Sequence, residues 1–247
     1  MKKMIGIVGE GPTDYIVIKE AIDHITGRKN DYRRLQPEPD MAGRFGNGWK
    51  GVWKWCETTS EILDQYLHEV TPGIDLLVIQ MDADVSRKEK ESHCLCGTTV
   101  CESREDSHPL QCEKVIKELC PIVLPCREHL QNSEGYRNHL EMLLRKYLRV
   151  SADRSDIVIT VPCDSTDAWI VAAYRDCENV EVVADPWENI IARKKTYHGI
   201  RIPGTKKSIS VYSRLVREVS KEWNAVTEQC DSAKCFEDNI KNAFGIC

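Results

Sequence analysis

The 247-residue sequence lacks any apolar run near the length of about 20 residues that a membrane-spanning helix requires. It also has no internal repeat and no low-complexity segment, which excludes solenoid and fibrous architectures. The apolar stretch after Met1 is too short for the core of a signal peptide, so we expect a cytoplasmic protein without a membrane partner. Positive charge is not in excess, because 34 Lys and Arg stand against 39 Asp and Glu. That balance argues against a protein that coats nucleic acid by charge alone.

What is present is the composition of a folded α/β domain, with 41% hydrophobic positions. Apolar runs at residues 5–8, 75–81 and 156–161 predict buried parallel strands. Helical periodicity predicts amphipathic helices, which fall at residues 12–27, 58–70, 110–119, 135–149 and 209–228. Residues 28–56 are rich in Arg, Gly and Trp and predict an irregular loop that closes with a short strand. The tryptophans at 49, 53 and 55 leave two interpretations open, core packing or stacking on unpaired bases.

Carboxylates follow each of the three predicted strands. Glu10 comes after the first, Asp82 and Asp84 after the second, and Asp164 and Asp167 after the third. Ligands of open α/β sheets bind outside the carboxyl ends of the strands, where these acids converge if the strands are neighbours. Hard oxygen ligands suit Mg²⁺, and such ions promote phosphodiester cleavage. The simpler interpretation of Asp82 and Asp84 is a solvated pair of acids that closes a strand. That of Glu10 is a carboxylate near a helix N-terminus.

Two of these strand ends carry motifs of a known family. Residues 7–14, Ile-Val-Gly-Glu-Gly-Pro-Thr-Asp, resemble the first motif of the TOPRIM domain, and residues 78–84, Val-Ile-Gln-Met-Asp-Ala-Asp, resemble its Asp-x-Asp motif. The Glu-Gly-x-Thr-Asp form is most similar to TOPRIM-like families allied to OLD-type nucleases and bacterial anti-phage proteins. Residues 161–170 are similar to a later motif of these families, with Asp167 where Glu is usual.

The resemblance implies one Rossmann-like, mostly parallel sheet flanked by helices. We expect a single domain over 1–247, with a core at about 4–170, a Cys/His-rich insertion at about 85–112 and a helical C-terminal extension at about 186–247. The implied catalytic residues are Glu10, Asp82, Asp84 and Asp167, and the implied metal ligands are Glu10, Asp82, Asp84, Asp14 and Asp164.

The implied activity is that of a nuclease dependent on Mg²⁺ or Mn²⁺, acting on DNA or RNA as the effector of an anti-phage defence system. Any ATPase partner must be a separate subunit, because this chain has no Gly-x-x-x-x-Gly-Lys motif. The alternative hypothesis is a catalytically idle sensor or assembly subunit that binds nucleic acid or a partner protein.

Basic residues concentrate between positions 193 and 221, where nine Lys and Arg are opposed only by Glu218. In a nuclease, Lys206 and Lys207 would hold the phosphate of the substrate. The simpler interpretation of the same residues is a solvated basic face.

Twelve cysteines are many for a chain expected in a reducing compartment. One group, His93, Cys94, Cys96, Cys101, His108 and Cys112, offers donors for a structural Zn²⁺. Free thiols in a loop and packing cysteines are the other interpretations. Metal analysis of protein purified without chelators separates these hypotheses.

Overall fold

In the part of the chain that the structure describes, four strands form a sheet in which every neighbouring pair is parallel. The structure is a computed structural model that describes residues 2–38, 44–86, 133–204 and 206–246. The strands are β1 (Met4–Val8), β2 (Asp31–Gln36), β3 (Leu76–Gln80) and β4 (Ile157–Thr160), in the spatial order β2-β1-β3-β4. The predicted strands at residues 5–8, 75–81 and 156–161 are thus confirmed, with ends that differ by one residue.

Eight α-helices are found in the described ranges, and they cover both faces of the sheet. They are α1 (Pro12–Ile25), α2 (Trp49–Thr59), α3 (Leu63–Glu69), α4 (Ser133–Leu148), α5 (Asp167–Tyr174), α6 (Ile209–Lys221), α7 (Trp223–Gln229) and α8 (Asp231–Phe244). A short antiparallel hairpin of β5 (Thr196–Tyr197) and β6 (Ile200–Arg201) precedes α6. In the same ranges, no helix is both long and apolar enough to cross a bilayer.

Alternating strand residues feed two separate cores. Ile5, Ile7 and Val78 pack with α1 and with the helices from α5 to α8. Leu77 and Ile79 point to the other face, where they pack with α2, α3 and α4. The result is a three-layer α/β architecture of the Rossmann-like kind, as the strand pattern predicted.

The interpretation of residues 28–56 as an irregular loop is wrong. This segment forms β2 and most of α2. The strand was missed because β2 lies at the sheet edge, where its sequence Asp-Tyr-Arg-Arg-Leu-Gln needs little apolar character. The helix was missed because glycines surround it, although Trp49, Val52, Trp53 and Cys56 follow helical spacing.

Two helix boundaries also differ from the predictions. Residues 58–70 do not form one helix, since α2 ends at Thr59 and α3 begins at Leu63. The helix predicted over 209–228 breaks at Glu222, which separates α6 from α7. The helix predicted at 110–119 and most of the Cys/His-rich insertion lie outside the described residues.

The strand order creates a switch point between two neighbouring strands. The chain leaves β1 through α1 toward β2 on one side, and it leaves β3 toward β4 on the other side. In open α/β sheets such a switch point forms the ligand-binding crevice, which here corresponds to the carboxyl ends of β1 and β3. Glu10 and Asp82 follow these two strand ends.

Candidate active site at the strand ends

Glu10 and Asp82 are connected across the switch point. The carboxylate Oε1 of Glu10 accepts a hydrogen bond of 2.7 Å from the backbone N–H of Asp82. Gln80, the last residue of β3, completes the connection in both directions. Its Oε1 accepts from the Glu10 N–H at 3.0 Å, and its Nε2 donates to Asp82 Oδ1 at 2.6 Å. All three residues are buried, so each of these bonds forms away from bulk solvent.

The loop before α2 holds the backbone of Glu10 from the other side. The Gly48 N–H donates to the Glu10 carbonyl at 2.8 Å, and Gly48 adopts a φ of +75°. This backbone conformation favours glycine at the N-cap of α2. The start of α2 therefore lies against Glu10, and residues assigned to a loop from the sequence help to position the site.

Asp84 and Asp164 lie on the β4 side of the crevice. The Asp84 N–H donates to the Asp164 carbonyl at 2.9 Å, which joins the turn after β3 to the turn after β4. Asp164 itself has a φ of +58°, in the left-handed region that Asp tolerates better than most residues. Its Oδ2 accepts from the Asp185 N–H at 2.8 Å.

Asp14 reaches the crevice from the first turn of α1. Its Oδ1 accepts a 2.6 Å hydrogen bond from the Thr166 hydroxyl. Burial raises the pKa of Asp14 to about 6, the hydrogen bond from Thr166 and the charge of Lys207 lower it, and the charge of Asp167 raises it. Gly11 leaves room for this side chain, since a Cβ there would lie 3.1 Å from Asp14 Oδ2.

Asp167 occupies the first position of α5 and is buried to the same degree as core residues, at 1% exposure. Its Oδ2 accepts from Lys207 Nζ at 2.6 Å and from Ser165 Oγ at 3.3 Å. Its Oδ1 accepts a short hydrogen bond from the Tyr212 hydroxyl. The Tyr212 ring is stacked on Trp187, with 5.2 Å between ring centroids. Donors from the C-terminal helical part thus satisfy both oxygens of Asp167.

Burial and the neighbouring acids together disfavour the ionised form of Asp82. Burial raises the pKa of Asp82 well above its usual value, and the charges of Asp14 and Glu10 add to this effect. Asp84 acts in the same direction, whereas the ammonium of Lys207 lowers the pKa. The ionised form of Asp82 is therefore disfavoured, and a bound cation would favour it by offsetting the neighbouring charges.

The donor chemistry at the strand ends fits a hard divalent cation in kind. Mg²⁺ takes oxygen ligands and often only one or two carboxylates, with water and substrate phosphate completing its shell. Within the described ranges, no group of three or more His, Cys, Asp and Glu side chains is arranged to hold an ion. A cation bound here would therefore have fewer than three protein ligands, or the carboxylates would have to leave the hydrogen bonds described above in order to bind it.

The structure brings most of the predicted residues to one end of the sheet. Glu10, Asp14, Asp82, Asp84, Asp164, Asp167 and Lys207 are connected there by the contacts above. Lys206 is exposed on the surface next to them. The six zinc candidates, His93, Cys94, Cys96, Cys101, His108 and Cys112, lie outside the described residues.

The tryptophans of α2 are not available for base stacking. Trp49, Trp53 and Trp55 are at most 5% exposed and belong to the core beneath the sheet. This result confirms the core-packing interpretation and rules out the stacking one for this conformation.

Sequence reasoning missed two buried residues that organise the site. Gln80 interrupts an otherwise apolar strand, and that single polar position was the available signal. Nothing in the sequence indicates that Tyr212 belongs to the site, because its spacing on α6 matches the apolar face of an amphipathic helix.

Comparisons with protein-family models, curated proteins and solved structures found no match to this chain. The resemblance to TOPRIM domains is therefore one of sequence motifs.

Proposed function

We propose that the chain is a TOPRIM-like nuclease that uses Mg²⁺ or Mn²⁺ to hydrolyse phosphodiester bonds in DNA or RNA. The observation that carries the proposal is the junction of Glu10 and Asp82 at the switch point of a parallel sheet. An acid pair at this place matches the order and positions of the TOPRIM motifs. The role of this chain as an effector of anti-phage defence, with a separate ATPase subunit, is part of the same proposal.

The residues divide into two functional groups. Glu10, Asp82 and Asp84 hold the cation, with Asp14 and Asp164 next to them. A divalent cation in such a site supplies Lewis acidity that polarises a phosphoryl oxygen and acidifies water. Lys207 and the exposed Lys206 hold the phosphate backbone, whose negative charge the acidic crevice would otherwise repel.

The burial of the site supports this assignment. Asp82, Asp14 and Asp164 are 6–7% exposed, so the field of a bound cation acts with little screening by solvent. A buried cluster of like charges costs folding free energy, and a structural role alone does not account for that cost. Such clusters are typical of sites where a ligand balances the charge.

A cleavage assay tests the proposal directly. Purified chain is incubated with single-stranded DNA, duplex DNA and RNA in Mg²⁺ or Mn²⁺, beside the Asp82→Asn/Asp84→Asn variant. We expect cleavage by the wild type and a loss of about 100-fold or more in the variant, because the variant lacks two metal-binding charges. Asp238→Asn, an exposed position on α8, is the matched control and should cleave normally.

Two outcomes oppose the proposal in different ways. Full activity of the Asp82→Asn/Asp84→Asn variant would refute the metal-ligand assignment. If the wild type cleaves none of the three substrates, even when its ATPase partner is added, the result would favour the alternative of an idle binding or assembly subunit.

A further inference from the structure

The charged end of Lys207 reaches into the acidic cluster. Its Nζ is 2.6 Å from Asp167 Oδ2, and that carboxylate is 1% exposed. The ammonium also interacts favourably with the charges of Asp82 and Asp14. In the conformation described, a lysine therefore supplies part of the positive charge that offsets the cluster.

The clamp that holds this lysine is built from buried groups. Tyr212 fixes one oxygen of Asp167, and Ser165 shares the other oxygen with Lys207. Because Tyr212 is fully buried and stacked on Trp187, the Asp167 carboxylate has little freedom to turn. The fixed partner in the ion pair is the carboxylate, and the movable partner is the lysine.

The lysine side chain has a path out of the cluster. It is 41% exposed, although its charged end contacts a buried carboxylate. Lysine has a flexible four-carbon stem and a strongly hydrated ammonium, so withdrawal to solvent costs it less than it would cost a bidentate arginine. A competing cation of higher charge gains more from Asp82 and Asp14 than the ammonium does.

We propose that Lys207 is a tethered counter-ion of the strand-end carboxylates, displaced when a divalent cation binds, so that its ammonium becomes available to a substrate phosphate. The inference rests on the proposed function to the extent that a divalent cation binds at Glu10 and Asp82. It links metal binding to phosphate binding, because the same lysine partly neutralises the carboxylates in the metal-free protein and binds phosphate in the metal-bound protein. Without a divalent cation, the ammonium of Lys207 reduces the repulsion among the carboxylates. Once a divalent cation binds, the ammonium becomes free to bind a phosphate.

Mg²⁺ titration by calorimetry, in the absence of nucleic acid, tests the competition. We expect Lys207→Gln to tighten Mg²⁺ binding by about tenfold or more, because the competing ammonium is gone. Lys206→Gln removes the same charge one residue away, at an exposed position outside the ion pair, and should change the affinity by less than about twofold. Equal effects of the two substitutions would overturn the proposal.

A second measurement uses the wild-type chain and needs no substitution. Lysine acetylation by a limiting reagent, quantified by peptide mass spectrometry, reports how accessible each ammonium is. Saturating Mg²⁺ should raise labelling of Lys207 several-fold and leave Lys206 unchanged. If calorimetry shows that Mg²⁺ binds but the labelling of Lys207 does not change, the displacement of Lys207 is refuted and the proposed function is not. If the wild type does not bind Mg²⁺ at all, the proposed function is refuted as well.

Discussion

The backbone amide of Asp82 donates a 2.7 Å hydrogen bond to the carboxylate of Glu10, across 72 residues of sequence. This bond joins the ends of β1 and β3 at the switch point of the described sheet, where successive connections leave in opposite directions. The acids gathered around it are buried and mutually repulsive, and Lys207 partly balances them.

Gln80 should be essential for the stability of the strand ends. Gln80→Met removes both side-chain bonds and leaves the Glu10 N–H and Asp82 Oδ1 without these buried partners. We expect the free energy of unfolding, measured by urea denaturation, to fall by about 2–3 kcal/mol. Gln65→Met, at an exposed position on α3, is the control and should stay within about 0.5 kcal/mol of wild type. A similar small change for both variants would show that the Gln80 connection contributes little.

Asp14 should cost stability when no divalent cation is present. Its pKa rises from 3.8 to about 6 on folding, so the folded state binds the proton more tightly than the unfolded state. The stability contributed by the protonated form is complete below pH 3.8 and is lost as the pH rises toward 6.

The variant Asp14→Asn removes this pH dependence and keeps an oxygen that accepts from Thr166. In EDTA at pH 7.5 we expect Asp14→Asn to be more stable than wild type by about 2 kcal/mol, and this advantage should shrink as the pH falls from 6 to 4. Urea denaturation of both proteins at each pH provides the difference. A destabilised Asp14→Asn at pH 7.5 would show that the charged carboxylate is favourable in the folded protein.

The hydroxyl of Tyr212 should contribute to stability through Asp167. Tyr212→Phe keeps the ring and its stacking on Trp187 but removes the donor to Asp167 Oδ1. We expect a loss of about 1–2 kcal/mol in the free energy of unfolding, because a buried charged acceptor loses one partner. The double variant Tyr212→Phe/Asp167→Asn should lose less than the sum of the single variants, and additive losses would show that the two residues are not coupled.

The exposed basic residues near α6 should bind the nucleic-acid backbone without reading its sequence. Lys206, Arg214 and Arg217 are all exposed, and α6 buries its opposite face. Substituting all three by Gln should weaken binding of single-stranded DNA in EDTA and reduce the slope of log affinity against log salt by about 2. Fluorescence anisotropy at salt concentrations between about 50 and 200 mM measures that slope.

The control for this experiment removes charge from a different surface. Lys234→Gln/Lys241→Gln lies on α8, where both lysines already pair with acids of the same helix. The salt slope of this control should remain that of wild type. If the two variants lose the same amount of affinity, the basic stretch is a solvated face rather than a phosphate-binding one.

The sequence was informative where a single physical constraint acts on consecutive residues. The apolar run of β3 predicts a buried parallel strand, and a parallel arrangement places the following Asp82 beside other strand ends. The edge strand β2 escaped prediction because only one neighbour and part of its surface constrain it. The role of Tyr212 escaped prediction because a hydroxyl that reaches a carboxylate 45 residues away leaves no local pattern.

The contact between Lys207 and the acidic cluster also could not be predicted from the sequence. The charge run correctly marks a basic segment, and it carries no information about which lysine enters the acidic crevice. That choice depends on the turn before α6 and on the buried clamp at Asp167, both of which are set by tertiary packing.

We expect the acids at the ends of β1 and β3 to bind a divalent cation. Crystals soaked in Mn²⁺ provide the most direct measurement of this binding, because anomalous scattering identifies the ion by position. We predict an anomalous peak in contact with the carboxylates of Glu10 and Asp82, and its loss from crystals of Asp82→Asn. A peak that persists in Asp82→Asn, or no peak at the strand ends of the wild type, would contradict the account.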